Sequence, residues 1–433
     1  MALSLGLCFL TAACVPLREE APVGNTGGTS GAAPSAGGAA GRGGAAGVGG
    51  VAAGSGGSAA DGGVSGEPGS AGAGGTDPNA WLEECVPLAK LPLGDGTKAS
   101  QREWLRARLA ALTSDCHIAL GHQDSSAYGV GWEFEPNRSD FKSVCGDYPA
   151  VQGWDLGHIG LEKNIDGVPF TLIRDRIIAA HERGAIITIS WHEWNPITGD
   201  DAWDTSQGGR EVLDGGTKHE AFLARLDLVA EFMDSLVTEG GEYVPVLFRP
   251  YHEHTGSWFW WGRDVTSSAD YVALWQMTWK YLRETKGLEQ LLFAISPNGL
   301  FNTADDYLYA YPGDDYVDVL GFDYYFGNVP ARVITRTAEM VVGIAEKRGK
   351  IPAFTEFGAR DGLSNPEIAA TWFTENVFGP LMASAKARRV AYALTWRNDS
   401  TSHYFVPYPG EKHEADFKAV CGHGATLTES QLP

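Results

Sequence analysis

Residues 185–191 read AIITISW, and residues 244–249 read VPVLFR. Each is a short run of β-branched and apolar side chains, too brief for a helix, as expected of a strand buried on both faces. Between them lies His219–Thr238, whose apolar residues recur at helical spacing. A strand, a helix and a second strand of the same kind make one parallel crossover unit.

The same alternation extends in both directions. Strands are predicted at Cys116–Gly121, Pro149–Asp155, Leu291–Ser296, Val317–Phe322, Pro352–Glu356 and Val390–Trp396, which with Ala185–Trp191 and Val244–Arg249 gives eight. Helical patterns fit at Thr171–Arg183, Ala269–Thr285, Thr335–Lys347 and Glu367–Ser384. Eight such units within about 310 residues favour an α/β fold closed into a (β/α)₈ TIM barrel over an open doubly wound sheet. The glycine fingerprint of a dinucleotide-binding sheet is missing, since the first strand runs into Gly121-His122-Gln123-Asp124.

The barrel pattern does not reach the N-terminus. Residues 1–13, MALSLGLCFLTAA, form a short apolar run shaped like an export signal but without a positive n-region, and Thr11-Ala12-Ala13-Cys14 resembles a lipobox. Residues 1–19 are therefore expected to be an export signal of lipoprotein type, with Cys14 lipidated. From Glu20 to Pro78 the chain is Gly, Ala, Ser and Thr with scattered Pro and no aromatic residue. Such a composition has nothing with which to offset the entropy of ordering, so a disordered linker is predicted over 20–78, with a reach of roughly 40 Å. Residues 79–433 form the expected catalytic domain. The implied location is the cell surface or outer membrane, otherwise the extracellular medium, and any membrane contact runs through the lipid anchor.

The net charge of −21, from 54 acidic and 33 basic residues, leaves no basic footprint for nucleic acid. Fourteen tryptophans supply flat apolar faces that fill cores and also stack on sugar rings. With Cys8 in the signal and Cys14 lipidated, Cys85, Cys116, Cys145 and Cys421 remain, an even number that suggests two disulfides in an exported protein. Cys116 opens the first strand and Cys145 shortly precedes the second, whereas Cys85 and Cys421 lie near the two ends of the domain. The expected pairs are Cys116–Cys145 and Cys85–Cys421.

Reactive residues of such barrels lie at the C-terminal ends of the strands. Those positions hold His122 and Asp124, Asp155 and His158, Trp191-His192-Glu193, Arg249-Pro250-Tyr251-His252-Glu253-His254, Asp323-Tyr324-Tyr325, Glu356-Phe357-Gly358 and Trp396-Arg397-Asn398. Polar and aromatic groups dominate, as suits a neutral polyhydroxylated ligand. Glycoside hydrolysis requires two carboxyl groups, and Glu253 after strand four and Glu356 on strand seven lie nearly across the barrel from each other. A metal site is the weaker alternative: His252 and His254 lack the i, i+4 spacing of a helical zinc site, and strand one carries no His-x-His. No metal and no cofactor are expected.

Together, Trp191-His192-Glu193-Trp194-Asn195-Pro196, Arg249-Pro250-Tyr251-His252-Glu253 with Trp258, Gly321-Phe322-Asp323-Tyr324-Tyr325, Thr355-Glu356-Phe357-Gly358 and Trp396-Arg397-Asn398 resemble glycoside hydrolase family 26. Gly121-His122-Gln123-Asp124 and Gly146-Asp147-Tyr148-Pro149-Ala150 are similar to its bacterial β-mannanase branch, and the resemblance runs in order from about Cys116 to Phe417. It implies a retaining enzyme with Glu253 as acid/base and Glu356 as nucleophile. His252 and His192 would contact the sugar in subsite −1, and Tyr325 would hydrogen-bond the nucleophile. Trp258 and Trp396 would be stacking platforms, and Asp323, Arg397 and His122 polar substrate contacts. The implied activity is that of a mannan endo-1,4-β-mannosidase, a monomer acting on mannan, galactomannan or glucomannan. The family also includes enzymes acting on β-1,3-xylan and mixed-linkage β-glucan, which remain alternatives. A metal-dependent barrel hydrolase and a non-catalytic sugar-binding barrel are the competing classes.

Overall fold

The computed structural model describes residues 88–91, 94–114 and 117–433. The expected signal, Cys14, the linker, Cys85 and Cys116 lie outside the described residues.

All eight predicted strands are present: β1 Ile118–Gln123, β2 Val151–Asp155, β3 Ile186–Trp191, β4 Val246–Pro250, β5 Leu291–Ile295, β6 Val319–Phe326, β7 Ile351–Ala359 and β8 Tyr392–Thr395. They pair in parallel in chain order, and β8 returns to β1 through Ala119↔Tyr392 and His122↔Thr395, which closes the barrel. A short strand, β9 Thr426–Leu427, adds a second parallel neighbour to the start of β1.

Successive residues of each strand divide between two cores, as a side-chain period of two requires. Ala119, Val151, Ile186, Leu247, Leu292, Val319, Ala353 and Tyr392 share the inner core. Leu120, Ile187, Phe248, Phe293, Leu320 and Phe354 belong to the outer core, packed against the helices. The helices are α1 Lys98–Ser114, α2 Asp140–Cys145, α3 Phe170–Arg183, α4 His219–Asp234, α5 Ser268–Lys280, α6 Ala304–Tyr307, α7 Arg332–Arg348, α8 Gly379–Ala383 and α9 Glu414–Cys421. The predicted helix over 269–285 ends in a π-helical turn at Tyr281–Thr285, and the one over 367–384 shrinks to a π turn at Phe373–Phe378 followed by α8. Helix α1 has no counterpart among the predicted elements; its Leu105, Leu109 and Leu112, on one face at i, i+4, i+7 spacing, join the inner core beside the strands.

One expectation is overturned. Cys145, at the end of α2, is bonded to Cys421, at the end of α9, with a Cα–Cα distance of 5.6 Å. Both expected pairs therefore fail, because each had assigned one of these two cysteines elsewhere. Proximity along the sequence misled: α2 and α9 follow β1 and β8, which are neighbours only because the barrel closes. Phe141 of α2 and Phe417 of α9 meet edge to face, with ring centroids 5.4 Å apart, and bring the two helices together.

Non-reducing peptide mapping should recover a Cys145–Cys421 cross-linked peptide, and replacing both cysteines by Ala should lower stability by about 2–4 kcal/mol. Free thiols at both positions in the oxidised protein would overturn the assignment.

Candidate active site

The position of Glu356 depends on a break in the regular strand. Between β6 and β7, Phe322 pairs with Phe354 but Asp323 pairs with Glu356, so one residue of β7 is extra. The β8 pairing shows the same offset, with Ala393↔Phe354 followed by Thr395↔Phe357. Strict alternation would send Glu356 outward with Phe354. The bulge resets the phase: Phe357 turns outward onto Trp372 and Phe378, and Thr355 and Glu356 both stay on the inner side. Opposite on β6, Gly321 leaves the space, since a Cβ there would overlap the Thr355 side chain.

The Glu356 carboxylate is held from both oxygens. Arg249 Nη2 donates to Oε2 at 2.5 Å and the Tyr325 hydroxyl donates to Oε1 at 2.7 Å. Arg249 Nη1 also donates to Asp323 Oδ2 at 2.8 Å and to Ser296 Oγ at 3.0 Å. Asp323 in turn accepts from Ser296 Oγ at 2.8 Å and Thr355 Oγ1 at 2.7 Å.

Glu253 follows β4 in a left-handed backbone conformation, φ 54°, and Tyr251 is also left-handed, φ 49°. Such conformations in residues other than Gly cost of order 1 kcal/mol or more each and persist only where neighbours enforce them. Here Glu253 N donates to Ser296 O at 2.7 Å, Trp261 Nε1 to His252 O at 2.8 Å and Tyr271 OH to Tyr251 O at 3.0 Å. The Glu253 carboxylate accepts from Asn298 Nδ2 at 2.7 Å and Trp258 Nε1 at 2.9 Å. Burial, then the negative charge of Glu356, raises its pKa to about 7, against the pull of those two donors.

His192 and His252 meet edge to face, 4.5 Å between centroids. His192 Nδ1 lies 2.7 Å from Asp155 Oδ2; burial opposes its charged form, but the Asp155 carboxylate prevails and the pKa is raised. His252 is held well below its ordinary value by burial and by the charges of Arg249 and His192, so its ring is neutral. Trp396 lies 6.2 Å from His192, and Trp258 is 39% exposed beside Glu253.

Glu253, Glu356, His192, His252, Tyr325, Trp258 and Trp396 thus gather at the C-terminal mouth. Arg397 stays at the rim, paired with Asp166 at 2.9 Å. Two expected substrate contacts are corrected. Asp323 is 0% exposed and fully engaged by Arg249, Ser296 and Thr355, so it supports the site from beneath. His122, 1% exposed, has the outward phase of Ile118 and Leu120 and stacks on Phe141, and burial holds its pKa down to about 3.

Sequence reasoning missed Asn298, Trp203 and the bridging role of Arg249. Asn298 lies beyond a strand end, where a lone amide carries no chemical signal of its own; its backbone pairs with Asp323 of β6. Trp203, 42% exposed, stacks on His192 at 5.2 Å from a loop whose carbonyls at Asp204 and Ser206 accept from Asn195 Nδ2. Among the described residues no group of three or more His, Cys, Asp or Glu side chains is arranged to hold a metal ion.

A carbon-13 titration of the Glu253 carboxyl should have its midpoint near 7. Asn298→Ala should move it higher, because the amide favours the ionised form. A midpoint in the ordinary glutamate range, or a downward move, would contradict this electrostatic account.

A sequence profile of Glycosyl hydrolase family 26 matches residues 109–376. The chain is 36% identical to a mannan endo-1,4-beta-mannosidase of Bifidobacterium adolescentis over 68% of its own length, but spans only 31% of that relative. A mannan endo-1,4-beta-mannosidase of Bacillus subtilis is 32% identical over 60% of this chain and 69% of its own. Among solved structures, a GH26 beta-mannanase from Bacteroides ovatus superimposes with TM-score 0.72 at 37% identity, covering 78% of this chain and 98% of that one. A modular endo-beta-1,4-mannanase from Cellulomonas fimi gives TM-score 0.72 at 36% identity, covering 79% and 78%. With most of its barrel matched by the family profile, this chain belongs to glycosyl hydrolase family 26.

Proposed function

We propose that this chain is an exported mannan endo-1,4-β-mannosidase that cleaves mannan, galactomannan or glucomannan with retention of configuration, Glu253 serving as acid/base and Glu356 as nucleophile. The observation that carries the reading is the asymmetry between the two carboxyls. Glu253 is raised to about 7, so about half of it still carries its proton in neutral solution. Glu356 instead accepts a charge-assisted bond from Arg249 and another from Tyr325, one on each carboxylate oxygen.

In the first step Glu356 attacks the anomeric carbon while Glu253 passes its proton to the departing glycosidic oxygen. Forming the mannosyl ester removes the negative charge of Glu356. That charge is one of the two forces raising Glu253, so the glutamate becomes more acidic as the intermediate forms. It is thereby left ionised, ready to take a proton from the incoming water. The neutral ring of His252 offers one donor and one acceptor nitrogen to sugar hydroxyls, and His192 is held in place by Asp155. Trp258, Trp396 and the partly exposed Arg397 supply stacking and polar contact at the rim. The mannan specificity rests on the relatives named above.

The enzyme is proposed to act as a monomer, displayed on the cell surface by a lipid on Cys14 and the tether that follows. Deleting residues 1–78 should leave mannan hydrolysis within a few-fold of the full chain, and labelled palmitate should follow Cys14 in a bacterial host. A large loss of activity, or no label, would count against the tether or the anchor respectively.

The pH dependence has a definite sign. The acid must be protonated at the start, so kcat/KM should fall as pH rises through about 7. Glu356→Ala should abolish turnover on every substrate. Glu253→Ala should cripple mannan cleavage but spare the first step on an aryl mannoside with a good leaving group, and azide should restore turnover as the β-mannosyl azide. An α-azide product, or equal loss on both substrates without rescue, would mean that the roles are misassigned.

A further inference from the structure

We infer that Phe405 is a positioning residue for the Glu356 carboxylate and that it acts through the Tyr325 phenol. The inference rests on Glu356 being the nucleophile.

Tyr325 is only half-buried, and its hydroxyl is one of two donors on Glu356, so the plane of its ring decides whether that bond is kept. Phe405, from the loop after β8, meets the ring edge to face, with centroids 5.6 Å apart and planes at 80°. His403 also meets Phe405 edge to face, at 5.1 Å and 82°. Gly358 makes this approach feasible: a Cβ there would overlap the Phe405 ring and lie 2.8 Å from Tyr325 Cε1. The residue two positions after Glu356 is thus the space into which the brace fits.

The Phe405 backbone is fixed as firmly as its ring. Asn398 Oδ1 accepts from Phe405 N at 2.8 Å and from Val406 N at 3.1 Å. Asn398 Nδ2 donates to Val406 O at 3.0 Å and to Asp140 Oδ2 at 2.9 Å. Asp140 opens α2, the helix that the Cys145–Cys421 bond ties to α9. A continuous set of contacts therefore runs from that helix through Asn398 and Phe405 to Tyr325 and Glu356.

The test is a double-mutant cycle on the full chain, with kcat and KM measured on mannopentaose and folding followed by melting temperature. Tyr325→Phe should lower kcat about ten- to hundredfold, as expected for losing a hydrogen bond to a charged group. Phe405→Leu should lower kcat about two- to tenfold with little change in KM. In the Tyr325→Phe background Phe405→Leu should have almost no further effect, because the bond it protects is already gone. Should Phe405→Leu not fold, Phe405→Met, which removes the ring but keeps apolar bulk, goes through the same cycle. Losses that multiply, or a rise in KM with kcat unchanged, would overturn the inference while leaving the assignment of Glu356 intact. Full activity of Glu356→Ala would instead overturn that assignment, and the inference with it.

Discussion

Arg249 is a guanidinium almost without solvent, and the mouth of the barrel is organised around it. Its side chain is 3% exposed and bridges Asp323 and Glu356, which sit on adjacent strands and are themselves buried. Two carboxyls so close in a poorly solvated space are tolerable only with a cation between them. Removing one partner of such a buried pair typically costs about 3–5 kcal/mol, since the remaining charge has no water to turn to. The same cation that makes the cluster foldable also holds the Glu356 carboxylate in place.

Around this cluster the protein stores local strain and spreads the supports that maintain it. The left-handed residues Tyr251 and Glu253 are held by bonds with the Tyr271 hydroxyl and the Ser296 carbonyl, which belong to other elements than their own turn. The extra residue in β7 has the same character. It interrupts the ladder, yet it is what allows Phe357 to seal the outer core and Glu356 to face the mouth. Among the described strand pairings, the register shifts fall at this extra residue of β7, beside the carboxyl of Glu356.

Glu253 and Glu356 differ in what surrounds them more than in what they are. One meets neutral donors, Asn298 and the Trp258 indole, which lower its pKa less than burial and Glu356 raise it. The other meets a full positive charge and a phenol. Two identical side chains are thus given different electrostatic surroundings by position alone.

Much of this was legible in the sequence. The eight apolar runs and the helical patterns between them determine a parallel barrel, because periodicity of burial is a local property of the chain. Strand ends locate the mouth, so Glu253, Glu356, His192, His252 and Tyr325 could be read directly. What depends on phase and closure could not. His122 sits at a strand end like the others, but the parity of β1 turns it onto Phe141, while the bulge in β7 turns Glu356 the other way. Asp323 looked like a substrate contact until Arg249, 74 residues away in sequence, was found beside it. The Cys145–Cys421 bond joins helices that become neighbours only when the last strand meets the first. The sequence by itself determined the fold and which polar and aromatic residues stand at the strand ends, which follow from local pattern and residue type. Only the tertiary structure decided which way each side chain faces and which distant partner it meets, because register, bulge and barrel closure arise from pairing between segments far apart in the chain.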